Sequence, residues 1–522
     1  MREDKFVMNW DKLLSAKRQR ESSSEKSEFD GRNAFEKDYH RIILSASFRR
    51  LQDKTQVFPL DQSDFVRTRL THSLEVSSIA KSLGAQVCSM LRHRDFNNLP
   101  SFEQEKEIVD LLACAGLLHD MGNPPFGHYG ETTIRDYYKT YLEILEFKGK
   151  KLSYYLSEQM KQDLLHFEGN AQVLRLISKL HYLVDEHGMN LSYALINTLM
   201  KYPVNSLLVN ENLEDIRYNK LGYFSSEYAL FKEVTQETGT YRAVTETFKI
   251  LGNEFAVVDK RVPKAESIKQ LGFAPDNGRA QVVRHPLTYL LEAADDISYR
   301  TADIEDASRK GKITFRELKN YLHDNIRIKE LQEPLYSKYT EVLNKLDDCL
   351  VDAKTKHEEK AELYAIQNWL IYIQSVLIKS VSETFVEQYY EIMNGDFIHD
   401  LFHDNLAGLI LNILGDIAYD FVFSTQSIVE LEIAADAVIK GLLAKFVPAS
   451  IYFDTDIKQK PVDRRLMSII SDNYRDCYFR ESKGKSEGEK LYYRLLLVND
   501  YICGMTDSFA RDLYYKFNGI YE

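Results

Sequence analysis

Apolar residues recur along most of this chain at the three-to-four-residue interval of a helix. Between residues 73 and 92, Leu74, Ile79, Leu83, Val87 and Met90 mark one such stripe. Residues 104–120 begin polar and become almost wholly apolar at "IVDLLACAGLL". A helix that is apolar on every side is buried. Helical spacing continues over 157–181 and 191–201. Pro286 is suited to open a helix running to about Ser308, because proline fits the first helical turn. Residues 314–447 repeat the same periodicity, and 448–462 read as a connector with two prolines. The stretch "YYRLLLVNDYICGMTDSFARDLYYKF" reads as one long helix that tolerates Gly504.

The pattern weakens in two places. Residues 203–285 are interrupted by glycine, asparagine and proline, which predicts loops and a small hairpin. Residues 16–30 are polar and serine-rich, which predicts a flexible N-terminal arm over residues 1–30. No internal repeat and no clean linker is present. The expected architecture is all-α, with few or no strands. A large helical core spans 31–310, and a helical C-terminal lobe, 311–522, packs on it.

Composition supports long helices: 11 prolines and 23 glycines are few for 522 residues. A hydrophobic share of 44% with 28% charged residues suits a globular protein with a large core. The net charge of −12 argues against nucleic-acid affinity over the whole surface. One segment departs from it. Between residues 32 and 72, the bases Arg32, Lys37, Arg41, Arg49, Arg50, Lys54, Arg67 and Arg69 outnumber the acids Glu36, Asp38, Asp53, Asp61 and Asp64. Such a run is ordinarily a solvated face, but this one leads directly to His72. The five cysteines are scattered and form no CxxC pair, as expected of buried free thiols in a reducing compartment. The N-terminus is charged, and no run approaches the ~18 apolar residues of a bilayer span. The expected setting is cytoplasmic, with no membrane.

Three segments carry candidate chemistry. In "LLHDMGNPPFGHYGE", residues 117–131, an apolar helix ends in His119-Asp120 and a Gly/Pro turn leads to His128 and Glu131. A carboxylate at the end of a buried helix needs a positive partner, an arginine or a metal ion. In "HPLTYLLEAADDISYRTADIEDA", residues 285–307, helical spacing puts Glu292, Tyr299, Asp303 and Asp306 on one stripe, flanked by Asp295 and Asp296. In "VRTRLTHSLEV", residues 66–76, His72 opens a helix three residues after Arg69. Two histidines with carboxylates form a mixed N/O ligand set suited to Mn, Fe, Co, Ni or Zn, and more weakly to Mg. Three further His-Asp pairs, at 323–324, 399–400 and 403–404, lie in ordinary amphipathic surroundings.

These segments, with "HRIILSASFRRLQDKTQVFPL", "HFEGNAQ" and "NDYICGMTD", resemble the deoxyguanosinetriphosphate triphosphohydrolases of the HD phosphohydrolase superfamily. The blocks occur in family order from residue 40 to 509. The resemblance implies a divalent metal (Mn, Mg, Co, Ni or Zn) on His72, His119, Asp120 and Asp295, so the family motif selects Asp295 over Asp296. It implies His128 and Glu131 as a catalytic pair that activates water or protonates the leaving oxygen. Gln56, Tyr299 and Asp303 match deoxyribose positions, and Arg69, Lys201, Tyr202 and Lys220 match triphosphate contacts. Arg465 or Arg475 would correspond to the guanine-reading residues of a divergent C-terminal half. The implied reaction is dGTP plus water giving deoxyguanosine and inorganic triphosphate. A broad deoxynucleoside triphosphatase and a single-strand nucleic-acid binder with a structural HD site are the rival readings. The family also implies a homo-oligomer, a hexamer in some members, and single-stranded DNA as a partner.

Overall fold

The computed structural model describes residues 6–20, 30–56, 67–181, 185–243, 247–250, 253–256, 280–329, 331–356 and 358–520. Helix dominates these residues, as the periodicity predicts. Among them, strands occur only as three two-stranded antiparallel ladders. One of these, Thr247–Ile250 paired with Asn253–Ala256, is the hairpin expected within 203–285. Tyr241–Ala243 pairs with Ala280–Val282 across the same region.

Two helices form the centre, Arg69–Leu91 and Phe102–Leu118. Thr68 and Ser101 start them with reciprocal side-chain and backbone hydrogen bonds. The two helices run unusually close. A Cβ on Gly116 would lie 2.6 Å from the Ser77 backbone, and one on Gly84 would lie 2.7 Å from Leu112. The Ser77 hydroxyl donates to the Ala113 carbonyl at 2.8 Å across the same crossing. The helix Pro286–Arg309, capped by His285, packs over both. In the C-terminal half, Ala361–Glu387 and Leu406–Ala418 pack on that helix. Gln426–Ile451 joins His128–Tyr141 to Glu487–Cys503. The buried apolar side chains form one cluster from Met8 to Ala510, so core and lobe share an interior. All five cysteines are buried and free.

Several expectations change. The N-terminal arm is packed where it is described. Met8, Trp10 and Leu13 are buried, the Trp10 indole donates to the Tyr389 hydroxyl at 2.8 Å, and Arg18 pairs with the buried Asp38. The apolar residues ahead of the serine-rich stretch anchor it, and residues 21–29 lie outside the described residues. The helix expected over 157–181 breaks at His166–Glu168 into Glu158–Leu165 and Gly169–Arg175. Pro448 sits inside the last turn of Gln426–Ile451 rather than in a connector. The long C-terminal helix is two, Glu487–Cys503 and Asp507–Phe517. The first ends at Gly504, where a Cβ would lie 2.0 Å from the Tyr474 hydroxyl, and Thr506 caps the second. Finally, Leu406–Phe423 reaches a mean hydropathy of 1.6 over 18 residues, so one helical stretch is long and apolar enough to cross a membrane. Half of it is buried in the fold, and its Asp416 and Asp420 meet Arg327 and Tyr321.

Candidate active site

His72 and His119 come from the two central helices. The glycine-mediated crossing brings their rings 5.3 Å apart, edge to face. Asp295, from the Pro286–Arg309 helix, reaches between them: its Oδ1 lies 3.2 Å from His72 Nε2 and 3.3 Å from His119 Nε2. Among the described residues, these three form the one group of His, Cys, Asp or Glu side chains close enough to share an ion, with ligand atoms within 4.8 Å of one another. His119 Nδ1 donates to the Gly116 carbonyl at 2.8 Å, which leaves the lone pair on Nε2. That nitrogen is buried with no hydrogen-bond partner. A buried imidazole nitrogen without a partner, facing a second histidine and a carboxylate, fits a divalent cation of the N/O-binding kind.

Asp120 borders this group without completing it. Its Oδ2 is 3.5 Å from His119 Nε2 but accepts from Arg69, and its Oδ1 accepts from Asn123 at 2.6 Å. The buried-helix carboxylate thus has the arginine partner that the sequence called for. Burial opposes ionisation of Asp120 and Asp295, but their charged surroundings, led by Arg69 beside the first and Lys201 beside the second, hold both below the usual carboxylate range. Asp296 behaves differently: burial, Asp295 and Glu292 push it up to about 8. The geometry therefore separates the two adjacent aspartates that helical spacing could not.

His128 and Glu131 stand one turn apart at the start of His128–Tyr141. His128 Nδ1 donates to Glu131 Oε2 at 2.9 Å. Glu131 Oε1 accepts from the Gly169 backbone at 2.8 Å. The glutamate is buried and the histidine exposed. Glu131 raises the His128 pKa, by its hydrogen bond first and its charge second. The turn before them is bent sharply, with Phe126 at φ 63° and Gly127 at φ 59°. Phe126 tolerates that left-handed backbone because outside groups hold it. Its N–H donates to Asp507 Oδ1 at 2.9 Å, and the buried Lys54 donates to the Asn123 and Cys503 carbonyls at 2.6 and 2.7 Å. Burial lowers the Lys54 pKa to about 8. Gly127 leaves room for Arg69, whose Nη2 would lie 2.3 Å from a Cβ there. Arg69 thereby lies between Asp120 and the turn that precedes His128.

Of the remaining expected residues, Lys201 touches this centre directly. The Lys201 ammonium donates to Asp295 Oδ2 at 3.0 Å, and Lys220 donates to Glu168 Oε2 at 3.2 Å. Tyr202 is half-buried, with its carbonyl against Gly222. Tyr299 stacks on Phe423 at 6.3 Å. One turn on, Asp303 is fully buried, and neither of its oxygens has a hydrogen-bond partner. Burial raises its pKa well above the usual range. Gln56 likewise has a buried Oε1 with no partner. Of the stripe on this helix, Glu292 is held by Arg284 and Asp306 by Arg67. Arg475 pairs with Asp472, Arg465 is exposed, and no described contact ties either one to the centre. Much of the basic segment 32–72 is engaged within the fold: Lys54 and Arg69 are buried, Arg41 and Arg67 partly so, and the exposed Arg50 donates to the Gly504 carbonyl.

The HD domain family matches residues 69–201, which include Arg69, His72, His119, Asp120, His128, Glu131 and Lys201. The chain is 43% identical over 517 residues to a deoxyguanosinetriphosphate triphosphohydrolase-like protein of Listeria monocytogenes, with 98% of this chain and 100% of that protein covered. It is 31% identical over 548 residues to the deoxyguanosinetriphosphate triphosphohydrolase of Enterobacter sp. strain 638, with 97% of each covered. The chain belongs to the deoxyguanosinetriphosphate triphosphohydrolase family. It is thus an HD-type hydrolase, and the His72, His119 and Asp295 group is the cluster in it that can hold a metal.

Three residues outside the sequence-based candidates shape the surroundings of His128 and Glu131 or brace the Gly169–Arg175 helix. Gly169 is one: a Cβ would lie 2.0 Å from Asn123 Oδ1 and 2.7 Å from Glu131 Oε1. Asp507 is another, accepting from Thr55 N and Oγ1 at 2.9 and 2.5 Å besides Phe126. Asp500 accepts from both Arg175 and Gln172, which ties Glu487–Cys503 to Gly169–Arg175. All three stand in the quoted "HFEGNAQ" and "NDYICGMTD" blocks, which were the available signal.

Proposed function

We propose that the protein hydrolyses dGTP to deoxyguanosine and inorganic triphosphate by attack of water on the α-phosphorus. The observation that carries this reading is the buried His119 Nε2 without a partner, set among His72, Asp295 and Asp120, with Arg69 reaching from Asp120 to Gly127 beside His128. His72, His119, Asp295 and Asp120 would hold a divalent ion, which supplies charge stabilisation to a phosphoryl group when bound.

The chain's own groups account for the rest. Arg69, Lys201, Lys220 and Arg135 each pair with a carboxylate: Asp120, Asp295, Glu168 and Glu168 again. These cations are stationed before substrate arrives, so binding a triphosphate needs exchange of partners rather than assembly of a charged site. Protonated His128 has Nδ1–H on Glu131 and Nε2–H free. Its raised pKa suits donation to the departing 5′-oxygen, while Glu131 keeps the ring oriented. Asp303, whose ionisation burial opposes, can donate to a sugar hydroxyl when protonated, and Tyr299 one turn away can pack on the ring. Gln56, with Tyr299 and Asp303, favours deoxyribose over ribose.

The test is to incubate the protein with each dNTP and with GTP, with Mn²⁺ or Mg²⁺. The expected products from dGTP are deoxyguanosine and tripolyphosphate, with little reaction of GTP. Orthophosphate or pyrophosphate as the first product in ³¹P NMR would refute attack at the α-phosphorus. Equal rates on all four dNTPs would replace dGTP preference with broad deoxynucleotide use.

A further inference from the structure

Lys220 has two acidic neighbours, Glu168 and Glu131, and its field acts on both. It hydrogen-bonds Glu168, through Oε2 at 3.2 Å. The other Glu168 oxygen accepts from Arg135 at 2.7 Å. Arg135 lies four residues after Glu131 on the same helix, so the buried Glu168 carboxylate is fixed relative to the His128–Glu131 pair. Glu131 gives Oε2 to His128 and Oε1 to the Gly169 N–H. Glu168 and Gly169 are adjacent. Their backbone thus orients Glu131, while the Glu168 side chain holds the lysine.

We infer that Glu168 is a positioning residue: it withholds Lys220 from Glu131, so that Glu131 remains the partner of His128. A lysine ammonium is a point charge on a flexible stem and follows the nearest available carboxylate. Without the Glu168 charge, that carboxylate is Glu131. His128 would then lose part of the counter-charge that favours its protonated form. The groups facing His128 are few. Glu131 on its own helix favours protonation, while Arg69 and Lys220 from neighbouring elements oppose it. On the packed helix Gln426–Ile451, Glu432 meets Tyr129, and Asp436 meets Thr133 and Lys440.

This inference rests on reading His128 and Glu131 as the acid–base pair, but its test does not need turnover. Hydrogen–deuterium exchange at the histidine C2 position, read by mass spectrometry on the full-length protein without nucleotide, gives the His128 titration directly. In Glu168→Gln, the titration is expected to move down by about one pH unit. In Glu168→Gln with Lys220→Met, it should return to the wild-type position, because the intruding cation is gone. An unmoved titration in folded Glu168→Gln, or no return in the double variant, overturns the inference. If Glu168→Gln does not fold, Lys220→Met alone decides. A shift below half a unit supports the inference, since Lys220 is already withheld, whereas a larger upward shift means that Lys220 sits on Glu131 in the wild type and overturns it. The pH dependence of dGTP turnover is then recorded for the same variants. If His128 shifts and the turnover profile does not, the acid–base role of His128 fails while the positioning role stands.

Discussion

The two halves of the site are built by opposite means. His72, His119 and Asp295 project from long, capped helices whose backbones are regular, and their convergence follows from helix packing at Gly84 and Gly116. His128 and Glu131 follow a turn with two left-handed residues, and that turn is held by side chains from residues 54 and 507, far away along the chain. The first half is rigid because its elements are. The second is rigid because partners from elsewhere satisfy its backbone. Damage to the first should therefore come from losing a ligand, whereas damage to the second can come from residues that never touch substrate.

The largest effect should come from the first half. His119→Ala removes the unpaired nitrogen and should abolish tight metal binding, with turnover down on the order of 10⁴-fold, the scale of several kcal/mol. Metal analysis by mass spectrometry checks it, and full occupancy in the variant would count against the cluster. A chelator should reproduce the loss in wild type, and added Mn²⁺ should reverse it.

In the second half, Glu131→Gln should cut turnover by about 10²–10³-fold with metal retained. It should also shift the pH profile. Glu131 holds the His128 pKa above its ordinary value, so His128 stays protonated to higher pH and activity falls as pH rises through that value. Removing the charge should move the falling limb to lower pH. A limb that stays put would mean another group sets it.

Gly169→Ala sharpens the contrast, since it alters no charged group. The added methyl would press on Asn123 and Glu131, and a displacement of the pair near 1 Å should cost about 10²-fold in kcat. Wild-type kcat with an intact fold would show that the turn has more slack than its contacts indicate.

Asp507→Asn replaces one acceptor by a donor facing Phe126 or Thr55. It should lower stability by about 1–3 kcal/mol, read as a drop in Tm, with a smaller loss of rate. The smallest effect belongs to Asp296→Asn. Asp296 is already neutral near pH 7 and outside the cluster, so metal content and turnover should stay close to wild type. Loss of metal there would mean that the wrong aspartate had been assigned.

The chain's apolar spacing was enough to locate the helices that matter, because a buried helix must repeat its apolar side every turn. It could not show where helices end when the reason is a neighbour. Tyr474 lies against the helix end at Gly504, and Gly169, directly after the break at His166–Glu168, donates its N–H to Glu131. The arm was misjudged for the same reason: Trp10 and Leu13 are too few to form a pattern, yet they find a pocket beside Tyr389.

The sequence by itself determined the all-α class, the family and which residue types could bind a metal or move a proton, since those follow from local spacing and side-chain chemistry. Only the tertiary structure set Asp295 between His72 and His119, paired Asp120 with Arg69, and gave Lys201 and Lys220 separate carboxylates. It alone enlisted Lys54 and Asp507 to hold the turn before His128, and Glu168 and Gly169 to meet Lys220 and Glu131. These contacts join residues tens to hundreds of positions apart, and a charge or hydrogen-bonding group acts through distance in space, which no spacing along the chain encodes.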